Sequence, residues 1–400
     1  MIKHHAFFEA LGTTEEKTPE WQSVFAGLSL MRLIDRVAAG PDSIVVGPSD
    51  LDSSRASADA VGTGNPVRAI LLRVIGQLEQ SLELSVTVAA DLILYGRALD
   101  LEGRWPLAAD VFQTVADVYS DRSHPRIVIE ASTLLGAAAR SSGDWDKSNR
   151  GYTRAEHLAE RIGERGLALT AQIGLANSQM IRGNLPVAEQ ELDRIISESE
   201  AERLQSVLQI ALHARASVAH QRGDYQRTIH LAYRSMELTT NSTARERLLT
   251  DIAAAYAELG MRETARSAYS IIAMTSPHQW LRCQSILNMM EIAVQEGDEA
   301  EFDNLSGQME GSSLDPKLQA YTLYFRALGS RRFDRPDARS LFDEAQSFAE
   351  SHELNQLAFE IENARNEMPA IQASIEPSTE LQQIAEMIEH LRDQAKAESG

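Results

Sequence analysis

The chain has 400 residues, 43% of them hydrophobic, and its 58 acidic against 38 basic side chains leave a formal charge of −20. A surface with this charge repels phosphate backbones and anionic lipid headgroups, which disfavours nucleic-acid and membrane partners. The largest basic cluster found by scanning the sequence, Arg331-Arg332 with Arg335, is too small to offset it. A single cysteine, Cys283, leaves no intramolecular disulfide, and no window approaches the about 20 apolar residues that a membrane span needs. With no signal-like N-terminus, we expect a cytoplasmic protein.

Residues 1–83 are expected to form an N-terminal helical segment. A short helix is predicted over residues 2–11, with His4 and His5 as a mobile terminal pair. A longer helix should begin after Thr18, because Pro19 suits a first helical turn, where its missing N–H costs nothing. Gly40-Pro41 is expected to end this helix.

An irregular loop over residues 40–66 follows, rich in Gly, Pro, Ser and Asp. It contains a β-like fragment, residues 43–46, and a possible helical piece near residues 51–61. After Asn65-Pro66 the apolar residues recur with helical period as far as Gly103, which predicts two helices.

From residue 84 to about residue 352 one short turn recurs, and Gly143-Asp144-Trp145 is its clearest copy. The turn glycines are separated by 40, 40, 40, 37 and 37 residues: Gly103, Gly143, Gly183, Gly223, Gly260 and Gly297. A fixed period of this size predicts an array of helix pairs. Each repeat has an A helix that ends at its glycine and a B helix that begins just after it.

The local chemistry of the turns agrees with this reading. Glycine suits the left-handed conformation that ends a helix. In four repeats the next residue has a side chain that caps helix N-termini: Asp144, Asn184, Asp224 and Asp298. Pro106 and Pro186 fall in the first turns of their B helices.

A size pattern runs in phase with the turns. The residues seven before each glycine are mostly small: Gly96, Gly136, Ala176, Ala216, Ala253 and Met290. Those five after it are also mostly small: Ala108, Ser148, Ala188, Thr228, Ala265 and Phe302. Those nine after it are mostly large: Phe112, Tyr152, Leu192, Ala232, Tyr269 and Ser306. Small residues allow two helices to approach closely and large ones fill the gap between pairs, so the Gly297 repeat departs from the pattern.

These marks resemble the tetratricopeptide repeat, most clearly in Tyr95-Gly96…Gly103-Arg104-Trp105…Ala108…Phe112 and in Leu135-Gly136…Gly143-Asp144-Trp145…Tyr152…Ala155. The resemblance covers about two-thirds of the chain and implies an all-α, right-handed α-solenoid of antiparallel helix pairs. HEAT-type pairs have a similar period but would not place the small, glycine and aromatic residues at these offsets. The periods exceed the usual 34 residues of the family, and such extended repeats resemble those of bacterial peptide-sensing regulators and of the sensor domains of signal-transduction ATPases.

Beyond the Gly297 repeat, a seventh pair is expected over residues 318–328 and 336–349, joined by the longer turn GSRRFDRPDA. Residues 353–400 should form C-terminal helices that break at Pro369. The last helix, residues 378–396, carries one apolar stripe: Leu381, Ile384, Ile388 and Leu391. We expect this helix to cap the end of the array or, as the alternative, to form a homodimer with a second subunit.

The sequence has no GxxxxGK[ST], HExxH, CxxC or GxSxG motif, and we expect neither an enzyme nor a cofactor or metal site. His213 and His220 lie seven residues apart on one A helix, about 10.5 Å along its axis, which is too far to share one metal ion. His230 leaves a three-histidine site open, but groove lining is the favoured interpretation. Cys283 reads as a core residue, and Arg215 occupies a position where such repeats usually bury leucine.

In tetratricopeptide arrays the A helices line the concave groove, so the resemblance implies a set of groove positions. They are Arg97, Glu130, Arg140, Asn177, His213, Ser217, His220, Arg247, Asp251, Asn288 and Glu291. The bland alternative is that these are the solvated faces of amphipathic helices. The resemblance implies a non-catalytic scaffold or adaptor that binds a protein or peptide in this groove. The alternative is a regulatory sensor whose ligand changes the shape of the superhelix and so controls a partner protein.

Overall fold

The computed structural model describes residues 3–40, 46–309, 316–352, 354–366 and 378–399, and within these ranges the chain is all-α. By its internal contacts the chain divides into an N-terminal body, Met1–Val207, and a C-terminal body, Leu208–Gly400. The first eleven helices are α1 (His5–Thr13), α2 (Pro19–Ala39), α3 (Pro48–Asp59), α4 (Pro66–Gln80), α5 (Val86–Leu101), α6 (Trp105–Val118), α7 (Pro125–Ser141), α8 (Trp145–Arg161), α9 (Arg165–Ile181), α10 (Leu185–Ala201) and α11 (Gln205–Gln221). The remaining helices are α12 (Tyr225–Leu238), α13 (Ser242–Glu258), α14 (Arg262–Thr275), α15 (Gln279–Glu296), α16 (Glu299–Gln308), α17 (Pro316–Arg332), α18 (Ala338–Ser351), α19 (Asn355–Asn366) and α20 (Thr379–Ser399).

Both bodies are built from consecutive antiparallel neighbours. In the N-terminal body the A helices are α5, α7 and α9, and each packs against the B helix that follows it. The A helices also touch one another, α5 with α7 and α7 with α9. In the C-terminal body the same order runs from α12 to α19, with A helix α15 against α17. The expected repeat array of helix pairs is therefore present.

The turn chemistry is largely as predicted. All six turn glycines have φ between +73° and +82°, the left-handed region that disfavours a side chain. The carboxylates of Asp144, Asp224 and Asp298 each accept a backbone N–H of the following B helix. Asn184 does not cap: its side-chain amide instead donates to Gln179 Oε1 at 2.8 Å, so that prediction is wrong.

Aromatic rings of the adjoining helices pack against the small residues. The ring of Tyr152 on α8 packs over Gly136 on α7, where an added Cβ would lie 2.8 Å from three ring carbons. Tyr152 also packs against Gly174 on α9. In the irregular repeat Phe302 stands where a small residue was expected, and Gly329 on α17 makes the space for its ring. In this repeat the large residue therefore stands at the position expected to be small, and the contact between an aromatic ring and a glycine is still formed.

The N-terminal helices differ from the predictions in detail. The short helix is α1, and α3 begins at Pro48 rather than near residue 51. The β-like fragment lies outside the described residues except for Val46. His4 is not a mobile terminal residue: it is 7% exposed, and its Nδ1 and Nε2 lie 2.6 Å from Asp110 Oδ1 and 3.2 Å from Asp35 Oδ2. His5 is exposed and is the first residue of α1, with its Nδ1 3.4 Å from Glu9 Oε2.

The last helix occupies an unexpected position. The stripe of α20 packs against α14 and α12, two B helices in the middle of the array. Leu381, Ile384 and Ile388 are buried there. The predicted end-capping position therefore does not describe α20. Cys283 is buried, as expected for a core residue, and Arg215 is also buried, with 1% of its surface exposed.

Candidate partner-binding face

The predicted groove residues all lie on A helices. Arg97 is on α5, Glu130 and Arg140 on α7, Asn177 on α9, His213, Ser217 and His220 on α11, Arg247 and Asp251 on α13, and Asn288 and Glu291 on α15. None of these side chains is fully buried, which is typical of the outward faces of amphipathic helices. We call this surface the A face and describe it separately for each body.

In the N-terminal body, Arg97 and Glu130 meet across neighbouring A helices. Arg97 Nη2 donates to Glu130 Oε1 at 3.1 Å, and about half of each side chain is exposed to solvent. Arg140 lies closer to the core, with a buried Nε that has no hydrogen-bond partner among the described residues. Burial raises the pKa of the Tyr152 hydroxyl, and the charge of Arg140 partly opposes that effect. Asn177 is half-buried.

In the C-terminal body, His213 and Asp251 form the corresponding contact between A helices α11 and α13. His213 Nε2 lies 2.9 Å from Asp251 Oδ2, and the Ser217 hydroxyl donates to the His213 carbonyl at 3.2 Å. The ring of His220 packs edge-on against Tyr225, with 5.3 Å between the ring centroids. These contacts orient the A-face histidines as hydrogen-bonding and packing groups.

The third histidine points elsewhere, because His230 lies on a B helix and its Nδ1 is 2.5 Å from Glu380 Oε1 of α20. Across the ranges that the structure describes, no three His, Cys, Asp or Glu side chains come together in a way that could hold a metal ion. The three-histidine alternative is therefore not assembled by the fold.

Arg247 and Trp280 add a cation–aromatic contact to the A face. The guanidinium of Arg247 on α13 lies 5.9 Å from the ring centroid of Trp280 on α15, and 46% of Trp280 is exposed. Such a contact contributes about 0.5–1 kcal/mol at an exposed site. Asn288, also on α15, accepts a hydrogen bond from Gln284 Nε2 at 3.2 Å. An exposed tryptophan held by an arginine gives this part of the face an apolar contact point.

Glu291 is an A-face carboxyl with a raised pKa. Burial raises its pKa, and the nearby carboxylates of Glu258 and Glu360 raise it further, while a hydrogen bond from Gln295 opposes them. Burial also raises the pKa of Tyr324 to about 12, with further contributions from the carboxylates of Glu291 and Glu360. Glu258, Tyr321, Tyr324 and Glu360 are A-face neighbours that the sequence reasoning missed. The spacing of Asp251 and Glu258, seven residues apart on α13, was a signal that would have found one of them.

Basic residues are largely neutralised by nearby acids. Arg335 of the scanned cluster binds Glu299 and Asp303 at 2.8 Å. A second basic group lies along α8, with its members spaced three, four and seven residues apart: Lys147, Arg150, Arg154 and Arg161. Arg154 and Arg161 share Asp121, and Lys147 lies 3.4 Å from Asp144. Neither group leaves a strongly cationic surface.

Comparison with solved structures supplies the fold. A crystal structure of a signal transduction ATPase with numerous domains and a tetratricopeptide repeat sensor, from Pyrococcus horikoshii, has a TM-score of 0.51 at 12% sequence identity. The match covers 87% of this chain and 55% of that one. The chain has a tetratricopeptide-like fold. This TPR-like chain thus spans about half the length of that neighbour, and the likeness concerns the fold alone.

Two further solved structures have lower scores. A tetratricopeptide repeat domain matches with a TM-score of 0.23 at 14% identity, covering 92% of this TPR-like chain and 99% of that one. A circular tandem repeat protein matches with a TM-score of 0.16 at 12% identity, covering 98% and 95%. No protein-family model and no curated protein matches the sequence. In the described part of the TPR-like chain, no helix combines the length and apolarity that crossing a bilayer requires.

Proposed function

We propose that this TPR-like chain is a non-catalytic, cytoplasmic scaffold that binds a protein or peptide segment across its A face. The observation that carries the proposal is that polar side chains of successive A helices meet in hydrogen-bonded pairs, Arg97 with Glu130 and His213 with Asp251. Packed helices lie about 8–10 Å apart, so an extended segment rising about 3.3 Å per residue passes one A helix every three residues. Equivalent contact points would then recur along such a segment.

A partner protein can replace these side-chain pairs with contacts of its own. Exposed ion pairs are each worth about 0–1 kcal/mol, so a charged or amide group of the partner replaces one of them at small cost. Both Arg97 and Glu130 are about half exposed, and so is Asp251. The bound segment would therefore gain hydrogen bonds without leaving a buried charge unpaired.

Affinity capture from the native organism with charge-reversed variants tests this proposal. The A-face variants are Arg97→Glu with Arg140→Glu for the N-terminal body, and Asp251→Lys for the C-terminal body. Arg150→Glu on B helix α8 is the control, because it reverses one arginine, as each of the two N-terminal substitutions does, at an exposed position. We expect a protein that is enriched by the wild-type and control chains and lost with at least one A-face variant, each variant keeping its helical circular dichroism. Equal retention by every variant would refute the A face as the binding surface.

The second candidate is a regulatory sensor in which ligand binding at the A face changes the shape of the superhelix. It is favoured by the solved neighbour from Pyrococcus horikoshii, whose repeat region is described as a sensor. X-ray scattering of the chain with and without its captured partner separates the two candidates. The radius of gyration of a sensor should change by more than the added mass of the ligand explains, whereas that of a preformed scaffold should not.

A further inference from the structure

The C-terminal helix is seated on the B helices as an amphipathic ligand would be. Leu381, Ile384 and Ile388 follow one another at spacings of three and four residues and are 3%, 4% and 0% exposed. They pack against α14 and α12, which precede α20 by more than a hundred residues in the sequence. Helix recognition in a groove uses this pattern of anchors.

Polar contacts fix the N-terminal half of α20. The buried hydroxyl of Tyr256 donates to the Leu381 carbonyl at 2.7 Å, and Glu380 bonds His230 of α12. Tyr233, also on α12, donates to the sulfur of Met387 at 3.2 Å. These contacts set the register of the helix in its groove.

The C-terminal half of α20 fills its groove incompletely. A cleft of about 290 Å³ remains beside it, lined on one part by the apolar residues Met236, Leu249, Ile271, Ile272, Leu391 and Ala395 and on the rest by Ser242, Arg245, Glu246, Thr275 and Gln394. In this half Arg392 donates to Ser267 at 2.9 Å. The helix presents only a methyl group at Ala395, and Leu391 is half-buried. The apolar part of this cleft has no apolar side chain between its walls and so forfeits dispersion contacts, and a larger apolar residue at the position of Ala395 would restore them there.

We propose that the groove between α12 and α14 is a second docking site, separate from the A face, which takes an amphipathic helix of a partner protein. The partner helix carries aliphatic residues in the register of Leu381, Ile384 and Ile388, and a bulky apolar residue where α20 has Ala395. The helix α20 is the intramolecular occupant and keeps the groove closed. A tethered helix competes at an effective concentration in the millimolar range, and the unfilled cleft is what gives a better-fitting helix its advantage.

Binding of a fluorescent peptide to the full chain tests the proposal. The probes are residues 378–397 as they stand and the same peptide with Ala395→Leu, followed by fluorescence anisotropy. In the Ile388→Asp chain the tethered helix is expelled, and we expect the native peptide to bind it at least tenfold more tightly than it binds the wild-type chain. The Ala395→Leu peptide should bind about tenfold more tightly than the native one, because three further carbon atoms are buried.

Matched controls separate docking from unfolding. Gln383→Asp introduces the same charge on the exposed side of α20, and this chain should bind as weakly as the wild type. An Ile388→Asp chain that keeps its circular dichroism and binds neither peptide refutes the proposal, as does an Ala395→Leu peptide with no gain in affinity. If Ile388→Asp unfolds the chain, Ala395→Leu in the full chain decides: a raised denaturation midpoint supports the under-filled groove and an unchanged one refutes it. A wild-type dimer in light scattering that Ile388→Asp abolishes would make a second copy the occupant and overturn the partner-helix assignment.

Discussion

Replacing Gly136 with alanine tests how the helix pairs pack, because the ring of Tyr152 leaves no room for a methyl group. The added Cβ would lie 2.8 Å from three ring carbons, whereas carbon atoms in contact normally lie about 3.5–4.0 Å apart. Tyr152 is 2% exposed and also packs against Gly174, so its ring is held between α7 and α9. Overpacking of this kind costs about 1–3 kcal/mol.

The higher helix propensity of alanine partly offsets this packing cost. Alanine is better than glycine inside a helix by about 0.5–1 kcal/mol, so we expect Gly136→Ala to lower the free energy of unfolding by about 1–2 kcal/mol. Urea denaturation followed by circular dichroism measures it. Gly76→Ala in α4 is the matched control, because its Cβ would meet its nearest neighbour, Arg55 Nη2, at an ordinary 3.8 Å. That variant should be stabilised by about 0.5–1 kcal/mol.

A double-mutant cycle identifies the ring as the cause. Tyr152→Leu removes the ring, so in its presence Gly136→Ala should no longer cost stability and should approach the gain expected of Gly76→Ala. If Gly136→Ala gains as much stability as Gly76→Ala in the otherwise wild-type chain, the packing argument is refuted. A full cost that persists in the Tyr152→Leu background would show that the strain lies in the backbone and not against the ring.

Three further substitutions follow from the backbone and the buried histidine. Gly143→Val should cost about 1 kcal/mol or more, because a β-branched residue is strained at a φ of +76°; an unchanged urea midpoint would contradict this. Arg203→Gly should gain about 0.5–1 kcal/mol, because Arg203 holds a left-handed φ of +57° and part of the relief is lost as chain entropy; destabilisation would contradict it. His4→Ala should cost about 2 kcal/mol below pH 6.5, as expected for hydrogen bonds between charged groups, and less at higher pH.

The sign of the His4 effect follows from its surroundings. Burial alone would lower the pKa of His4, but Asp110 and Asp35 raise it above 6.5 overall. The stabilisation is therefore complete below pH 6.5 and is lost as the pH rises through the raised value. The difference between the unfolding free energies of the wild type and His4→Ala should narrow as the pH rises above 6.5. A difference that widens with pH would refute the assignment, and His5→Ala, at an exposed position, is the control.

The A face shows how far the candidate site could be predicted. Counting back from the turn glycines placed Arg97 and Asp251 on A helices, because the offset depends only on helical periodicity. Counting could not reveal that Arg97 meets Glu130, since that distance depends on how neighbouring repeats stack. It also missed Glu360, which lies beyond the last turn glycine and raises the pKa of Glu291 through its charge.

The sequence by itself determined the repeat, its period, the left-handed glycine turns and most of the helix caps. These features are local, since a glycine conformation or an Asp144 cap involves residues within one turn of each other. Tertiary structure decided the features that join distant residues: the packing of α20 against α14 and the burial of His4 against Asp110. An apolar stripe predicts that one face of a helix is buried. It does not predict which element buries that face, because the hydrophobic effect is not directional. The partner of such a stripe is chosen by shape and by hydrogen bonds such as that of Tyr256, which exist only once the chain has folded.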